Sequence, residues 1–385
     1  AFVAHQRRPA LGAYGDVLHR RAAAVRELLR RCRGLLLWLA GLAIFFALYF
    51  SLRHCTAAMN WLCGRVILPL EQVLGRLWSF TSVSAAEVLI LSGIYAALLY
   101  LAWQVRCLIV CPEKGLRLLR MALTVVNVAL SIYAGFCLFW GVFYGADSFQ
   151  DRSGLTARGG TAAELTALTQ RFADEVSALA PQVARDENGC FAVPRQEIFA
   201  AASAAYDGVV EEFDCLHRPN AMPKAFVSSR GMSYLDFSGF YFPFTGEANL
   251  NDESPAAYLP ANICHELAHQ QGVASEQECN FIAILAATTA ENDAYRYSGY
   301  LMGYVHLANA LYGAGREAWQ TVRDSLADTV RADLARNSAY WARFDGLVNT
   351  AATKVYDGFL KSNGLSDGVQ SYGAVVDLLL AYYGG

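Results

Sequence analysis

The chain has 385 residues, 55% of them hydrophobic and only 17% charged, with a mean hydropathy of +0.25. Soluble globular chains carry about a quarter charged residues, so the composition argues against an ordinary cytosolic domain. Residues 1–145 hold 15 Lys and Arg against 5 Asp and Glu, whereas residues 146–385 hold 16 against 29. The carboxylate surplus of the second half would repel a phosphate backbone, which argues against a nucleic-acid partner.

Three apolar runs dominate the first half. Gly34 to Leu52 is uncharged, Val88 to Val105 lies uncharged between Glu87 and Arg106, and Met121 to Ala146 lies uncharged between Arg120 and Asp147. At about 1.5 Å rise per residue each crosses or nearly crosses a hydrocarbon core roughly 30 Å thick. Residues 1–146 are therefore expected to form a basic N-terminal segment and a three-helix region in the lipid bilayer, with spans at about 34–52, 88–105 and 121–146. The first run starts too late for a cleaved signal peptide and lacks a small-residue cleavage pattern after it.

Cations set the expected orientation. Arg20, Arg21, Arg26, Arg30, Arg31 and Arg33 precede the first span, and Arg106, Lys114, Arg117 and Arg120 crowd the short loop between the second and third. The positive-inside rule then puts the N-terminus in the cytoplasm and residues 147–385 outside. The connector after the first span contains the amphipathic stretch Trp61 to Trp78. It reads either as an interfacial segment or as a loop helix packed on the bundle.

After a polar stretch from Asp147 to Gly160, helical periodicity prevails. Ala162 to Val183, Gln196 to Leu216, Pro260 to Gln271, Glu276 to Ala290, Ser298 to Tyr312, Glu317 to Arg336 and Val369 to Tyr383 are the predicted helices. Residues 224–250 are rich in aromatic and β-favouring residues and predict a small sheet or hairpin. Pro243 there implies an edge strand, because it cannot donate a ladder hydrogen bond.

The chemistry concentrates in PANICHELAHQQGVASEQECN, residues 260–280. His265, Glu266 and His269 make H-E-x-x-H. On a helix, residues four apart share a face, so both imidazoles can reach one metal while Glu266 points toward a metal-bound water. The flanking Ile263, Cys264, Leu267 and Ala268 are apolar or small, and two histidines on so buried a helix demand partners. Ser275 followed three residues later by Glu278 predicts a capping box that opens the next helix. Glu278 then bonds back to the cap, and Glu276 is left to face the metal with Asn280 one turn on as the acceptor for a ligating histidine. The competing assignment gives the ligand role to Glu278. Cys264 and Cys279 read as packing residues. Cys190 and Cys215 would lie outside, where a disulfide is permitted but nothing requires one.

HELAH followed by E-x-x-x-N resembles the gluzincin zinc metallopeptidases, in which a second helix carries Glu-x-x-x-Asp. Asn280 stands where that pattern has Asp. The whole chain, with three N-terminal spans, YFPFTGEAN and HELAHQQG before EQECNFIA, resembles a bacterial membrane-protein family known only as a domain of unknown function. These resemblances imply a mainly α fold, three transmembrane helices followed by a mostly helical, zincin-like domain with a small sheet. They imply one catalytic Zn2+ held by His265, His269 and Glu276, with Glu266 as general base, acting on a peptide or protein outside the cytoplasm. They also imply that Tyr241 to Glu247 line the substrate cleft by backbone pairing. A donor for the developing oxyanion is expected from the later helices, with Tyr295, Tyr297, Tyr300 and His306 as candidates. Alternative readings are a non-catalytic zinc-binding membrane sensor or scaffold, and a zinc amidase acting on cell-wall peptide.

Overall fold

In the computed structural model, residues 9–362 and 372–384 are described. The protein is mainly helical, with one three-stranded sheet. α1 (Pro9–Leu52) leads to a connector made of α2 (Thr56–Leu62), a π-turn at Cys63–Ile67 and α3 (Leu68–Leu77). α4 (Ala85–Val110) and α5 (Lys114–Phe139) follow. Three helices, His19–Leu52 within α1, α4 and α5, are long and apolar enough to cross a membrane.

Beyond a 3-10 turn at Gly141–Gly145 come the short α6 (Phe149–Ser153), α7 (Ala162–Leu179), α8 (Arg195–Ala201) and α9 (Asp207–Glu212). The mixed segment holds β1 (Lys224–Phe226), α10 (Ser229–Tyr234), β2 (Gly239–Phe242) and β3 (Glu247–Asn251). Then follow α11 (Leu259–His269), α12 (Glu276–Thr289), α13 (Asp293–Ala314), α14 (Arg316–Asp324), α15 (Asp328–Trp341), α16 (Leu347–Ser362) and α17 (Tyr372–Tyr383). Residues 369–371 of the last predicted helix lie outside the described residues.

Two compact units emerge, and they are not consecutive blocks of chain. One comprises the residues up to Leu52 with Ser92–Cys137; the other comprises Arg53–Leu91 with Leu138 onward. In the first unit, Arg31 donates to both Glu113 oxygens at 2.7 Å, and Asn127 Nδ2 donates to Leu35 O at 2.9 Å. The first bond ties α1 to the loop between α4 and α5, and the second ties α1 to α5.

In the second unit β3 is central, parallel to β1 and antiparallel to β2. β2 is thus an edge strand, and it stops at Phe242 because Pro243 opens the turn to β3. The core is formed by α7, α11, α12 and α13, whose facing residues include Phe172, Ile263, Phe281, Ile284 and Leu301, none more than marginally exposed.

Several boundaries differ from expectation for local physical reasons. α5 ends at Phe139 rather than continuing to Ala146; Gly141, Val142 and Phe143 are apolar because they are buried within the second unit. The predicted helix 196–216 is broken at 202–206, where Ser203 donates to Pro219 O and the fully buried Tyr206 donates to Cys264 O. The predicted helix 317–336 is interrupted at Ser325–Ala327, where the Ala327 N–H turns to Ser177 Oγ. α16 has no counterpart among the predicted helices. All ten cysteines are free thiols, Cys190 and Cys215 included.

Candidate metal centre

α11 carries the H-E-x-x-H segment into the core. Pro260 sits in its first turn, where a missing N–H costs nothing, and the free Ala261 N–H is taken by Ser298 Oγ at 3.0 Å. Gly272 ends it with φ +77°; a Cβ there would lie 2.7 Å from the Phe143 ring. Both the left-handed backbone and the close ring demand glycine. The chain then turns, and α12 starts at Glu276, with Ser275 Oγ accepting the Glu278 N–H.

Three side chains converge from these two helices. His265 Nε2 lies 3.2 Å from Glu276 Oε2, and His269 Nε2 lies 3.7 Å from Glu276 Oε1. Their ligand atoms all fall within 4.8 Å of one another, the one such His/Cys/Asp/Glu group found among the described residues. Bonds of about 2.0–2.1 Å at tetrahedral angles separate neighbouring ligand atoms by roughly 3.3 Å, close to both separations seen here.

The outer nitrogens are tied down. His265 Nδ1 donates to Asn280 Oδ1 at 2.9 Å, and His269 Nδ1 donates to Val273 O at 2.8 Å. Held in this way at Nδ1, both imidazoles turn Nε2 toward the same point, where it can bind a metal once it has given up any proton. The Asn280 contact follows from its i, i+4 spacing on Glu276, as the sequence implied. The edge of Trp140 packs on His269, ring centroids 5.5 Å apart.

Glu266 stands beside this point and is buried. Burial pushes its pKa above the ordinary carboxylate range, against the opposing pull of His265 and His269. Its Oε2 has no hydrogen-bond partner in the protein. A Cβ on Gly239 would sit 2.6 Å from Oε1, so the glycine makes room for this side chain. Burial opposes charge on Glu276, yet His269 and His265 hold its carboxyl well below the usual range. Burial likewise disfavours an imidazolium at His269, but Cys279 and Glu276 outweigh it and raise its pKa. Two nitrogen donors, one carboxylate and an adjacent half-satisfied buried carboxylate form a set suited to a divalent metal such as zinc.

The remaining candidate residues take other roles. Glu278 is not in the cluster, and its carboxylate does not return to its own cap. It accepts Phe149 N at 2.9 Å and Gln150 N at 3.2 Å, capping α6 instead. Cys264 is buried away from the imidazoles. Cys279, by contrast, touches the site, its Sγ 3.2 Å from His269 Nδ1.

Of the oxyanion-donor candidates, Tyr295 gives its hydroxyl to Ile198 O and Tyr297 gives its hydroxyl to Asp333. Tyr300 packs its ring on Phe172. His306 lines a cavity of about 400 Å³ with Asp236, Ser238 and Asn262, and burial, then His265, lowers its pKa to about 4. The hydroxyl that reaches the centre is that of Tyr356 on α16, which donates to Glu276 Oε1 at 2.6 Å. No local pattern marks it, since its partner lies 80 residues away. The segment Tyr241–Glu247 is not a continuous free edge. The Tyr241 side chain donates to Glu71 Oε2 at 2.9 Å, residues 243–246 form the turn, and Glu247 belongs to the central strand.

Searches of curated proteins and of solved structures return no match to this chain. A family model does match, over residues 65–380 and thus over the centre, most of the second unit and the Ser92–Cys137 part of the first. The chain belongs to the family described as protein of unknown function DUF3810.

Proposed function

We infer that this protein is a membrane-anchored zinc metallopeptidase hydrolysing peptide bonds of extracytoplasmic protein or peptide, similar in its site to the gluzincins. The observation that carries the reading is the convergence of His265 Nε2, His269 Nε2 and Glu276 beside the unpartnered oxygen of Glu266. Zn2+ held by those three ligands would supply a Lewis acid for the scissile carbonyl and lower the pKa of a water at its open position.

The chain's own groups supply the rest. Glu266 takes the attacking water's proton and returns it to the leaving amine. A carboxylate whose pKa burial has raised is a stronger base and takes that proton more readily than an ordinary one. The space at Gly239 admits its side chain beside the centre. Tyr356 offers a hydroxyl at the edge of the centre for the developing oxyanion. Asn280 and the Val273 carbonyl keep both imidazoles in the tautomer that binds metal. A purely structural metal site has no use for a buried, half-satisfied Glu266, which disfavours the sensor or scaffold reading. The cationic flanks of the first span and of the loop between the second and third support a membrane protein with residues 147–385 outside, and the resemblance to a bacterial membrane-protein family supports a bacterial cell membrane.

The test is metal analysis of the purified full chain with a peptide-library digest. Wild type and Glu266→Gln are expected to carry close to one zinc per chain, Glu276→Ala markedly less, and only wild type to cleave. A zinc-free wild type overturns the ligand set and the mechanism together. Zinc without cleavage of any peptide favours a non-peptide amide or a sensor.

A further inference from the structure

The connector between the first two spans presents an apolar face that its own unit leaves uncovered. From Thr56 to Leu77 the chain is helical throughout, with two unlike sides. Cys63, Ile67, Glu71 and Gly75 recur every four residues and are buried. There Glu71 receives the Tyr241 hydroxyl, and a Cβ on Gly75 would come within 2.7 Å of Gly246 O. On the opposite side Leu70, Val73, Leu77 and Phe80 recur at helical intervals and are 41%, 61%, 57% and 80% exposed, with Trp61 at 63%. A helix in water turns its apolar stripe inward, and this one turns it outward.

Chain continuity identifies the cover. α1 ends at Leu52 and α4 begins at Ala85, and both are long and apolar enough to span a bilayer. Two consecutive spans force residues 53–84 to begin and end at one membrane face. Arg65 and Arg76 are exposed on the same helical stretch, which suits the phosphate layer above buried apolar groups.

We propose that the outer face of α3 lies in the lipid interface and seats the metal-centre unit on the bilayer. The seat reaches the chemistry in two steps. α3 holds Tyr241 through Glu71, and Gly239 on the same strand packs against the Glu266 side chain. Lipid on one side of α3 therefore braces the strand beside the metal helix on the other. The seat does not depend on which bond the centre cleaves.

The full chain in nanodiscs of phosphatidylcholine and phosphatidylglycerol tests this, with p-benzoylphenylalanine placed at Val73, at Leu77 or at Phe80. Glu211, exposed on the same unit, is the reference position. After irradiation, intact-mass spectra are expected to show lipid adducts at all three connector positions, at several times the yield at Glu211. In the Val73→Asp, Leu77→Asp background the adduct at Phe80 is expected to drop several-fold while the particle stays monodisperse. Yields no higher than at Glu211 overturn the seat. Chain-to-chain adducts in place of lipid adducts also overturn it and assign the face to a second copy.

Discussion

Two groups of buried carboxylates within the second unit obey opposite rules. Where the start of α4 meets the sheet, both oxygens of Glu247 and of Glu87 are closed. Glu247 accepts Ala85 N at 3.2 Å, Ala86 N at 2.8 Å, Thr245 Oγ1 at 2.8 Å and Lys224 Nζ at 2.6 Å. Glu87 accepts Val227 N, Ser228 N and Ser228 Oγ. Around α11 the outer atoms are closed but the inner ones face one another, and Glu266 keeps an oxygen without a partner. Saturated carboxylates hold charge where the fold needs an anchor and have no capacity left to react. The half-satisfied one has that capacity, and leaving it so is costly unless a ligand or a reaction uses it.

Substitutions in each group should separate the two rules. The largest effect is expected at Glu266→Gln, which keeps shape and metal but removes the base. Turnover should fall by about 10²–10⁴, read as kcat/KM on whichever library peptide the wild type cuts, with zinc content unchanged. An active Glu266→Gln would remove the distinction drawn here. Next comes Lys224→Met, which leaves Glu247 buried without its counter-charge. It should cost about 3–5 kcal/mol of stability, measured as melting temperature in nanodiscs, whereas Glu266→Gln should leave melting almost unchanged or raise it.

The contrast was half legible in the sequence. The spans were readable because a bilayer imposes a length and an apolarity that few other structures share. The centre was readable because His265, His269, Glu276 and Asn280 sit on two adjacent helices, where i, i+4 spacing fixes geometry within a few residues. Tyr356 and the Glu247–Lys224 pair were not readable. Their partners lie far along the chain, and tertiary contacts alone bring them together. Glu278 shows the same limit: its N–H follows the capping pattern, while its carboxylate serves α6, more than a hundred residues earlier. Likewise the helix expected at 196–216 has a fair pattern and breaks where Ser203 reaches the Pro219 carbonyl and Tyr206 the Cys264 carbonyl.

Two smaller effects sharpen the comparison. Asn280→Ala removes the acceptor of His265 Nδ1 without touching a ligand, and metal affinity should fall about 10–100-fold, read by competition with a chelator. An unchanged affinity would reduce Asn280 to a packing residue.

The last effect concerns Glu71, which belongs to the sheet region yet breaks its rule, since one oxygen accepts Tyr241 and Oε1 has no partner. Burial raises its pKa well above 4.5 despite the Tyr241 bond, so the folded chain holds this proton more tightly than the unfolded one. Its contribution is fully present below about pH 4.5 and is lost as pH rises toward the folded value. Glu71→Gln keeps an acceptor for Tyr241 and has no proton to lose. The stability of wild type relative to Glu71→Gln should therefore decline with pH, by at most ~1.4 kcal/mol per unit within that window. Melting curves of both proteins at several pH values measure the slope. Parallel curves would mean that Glu71 is ionised in the fold and is as fully compensated as Glu247 and Glu87.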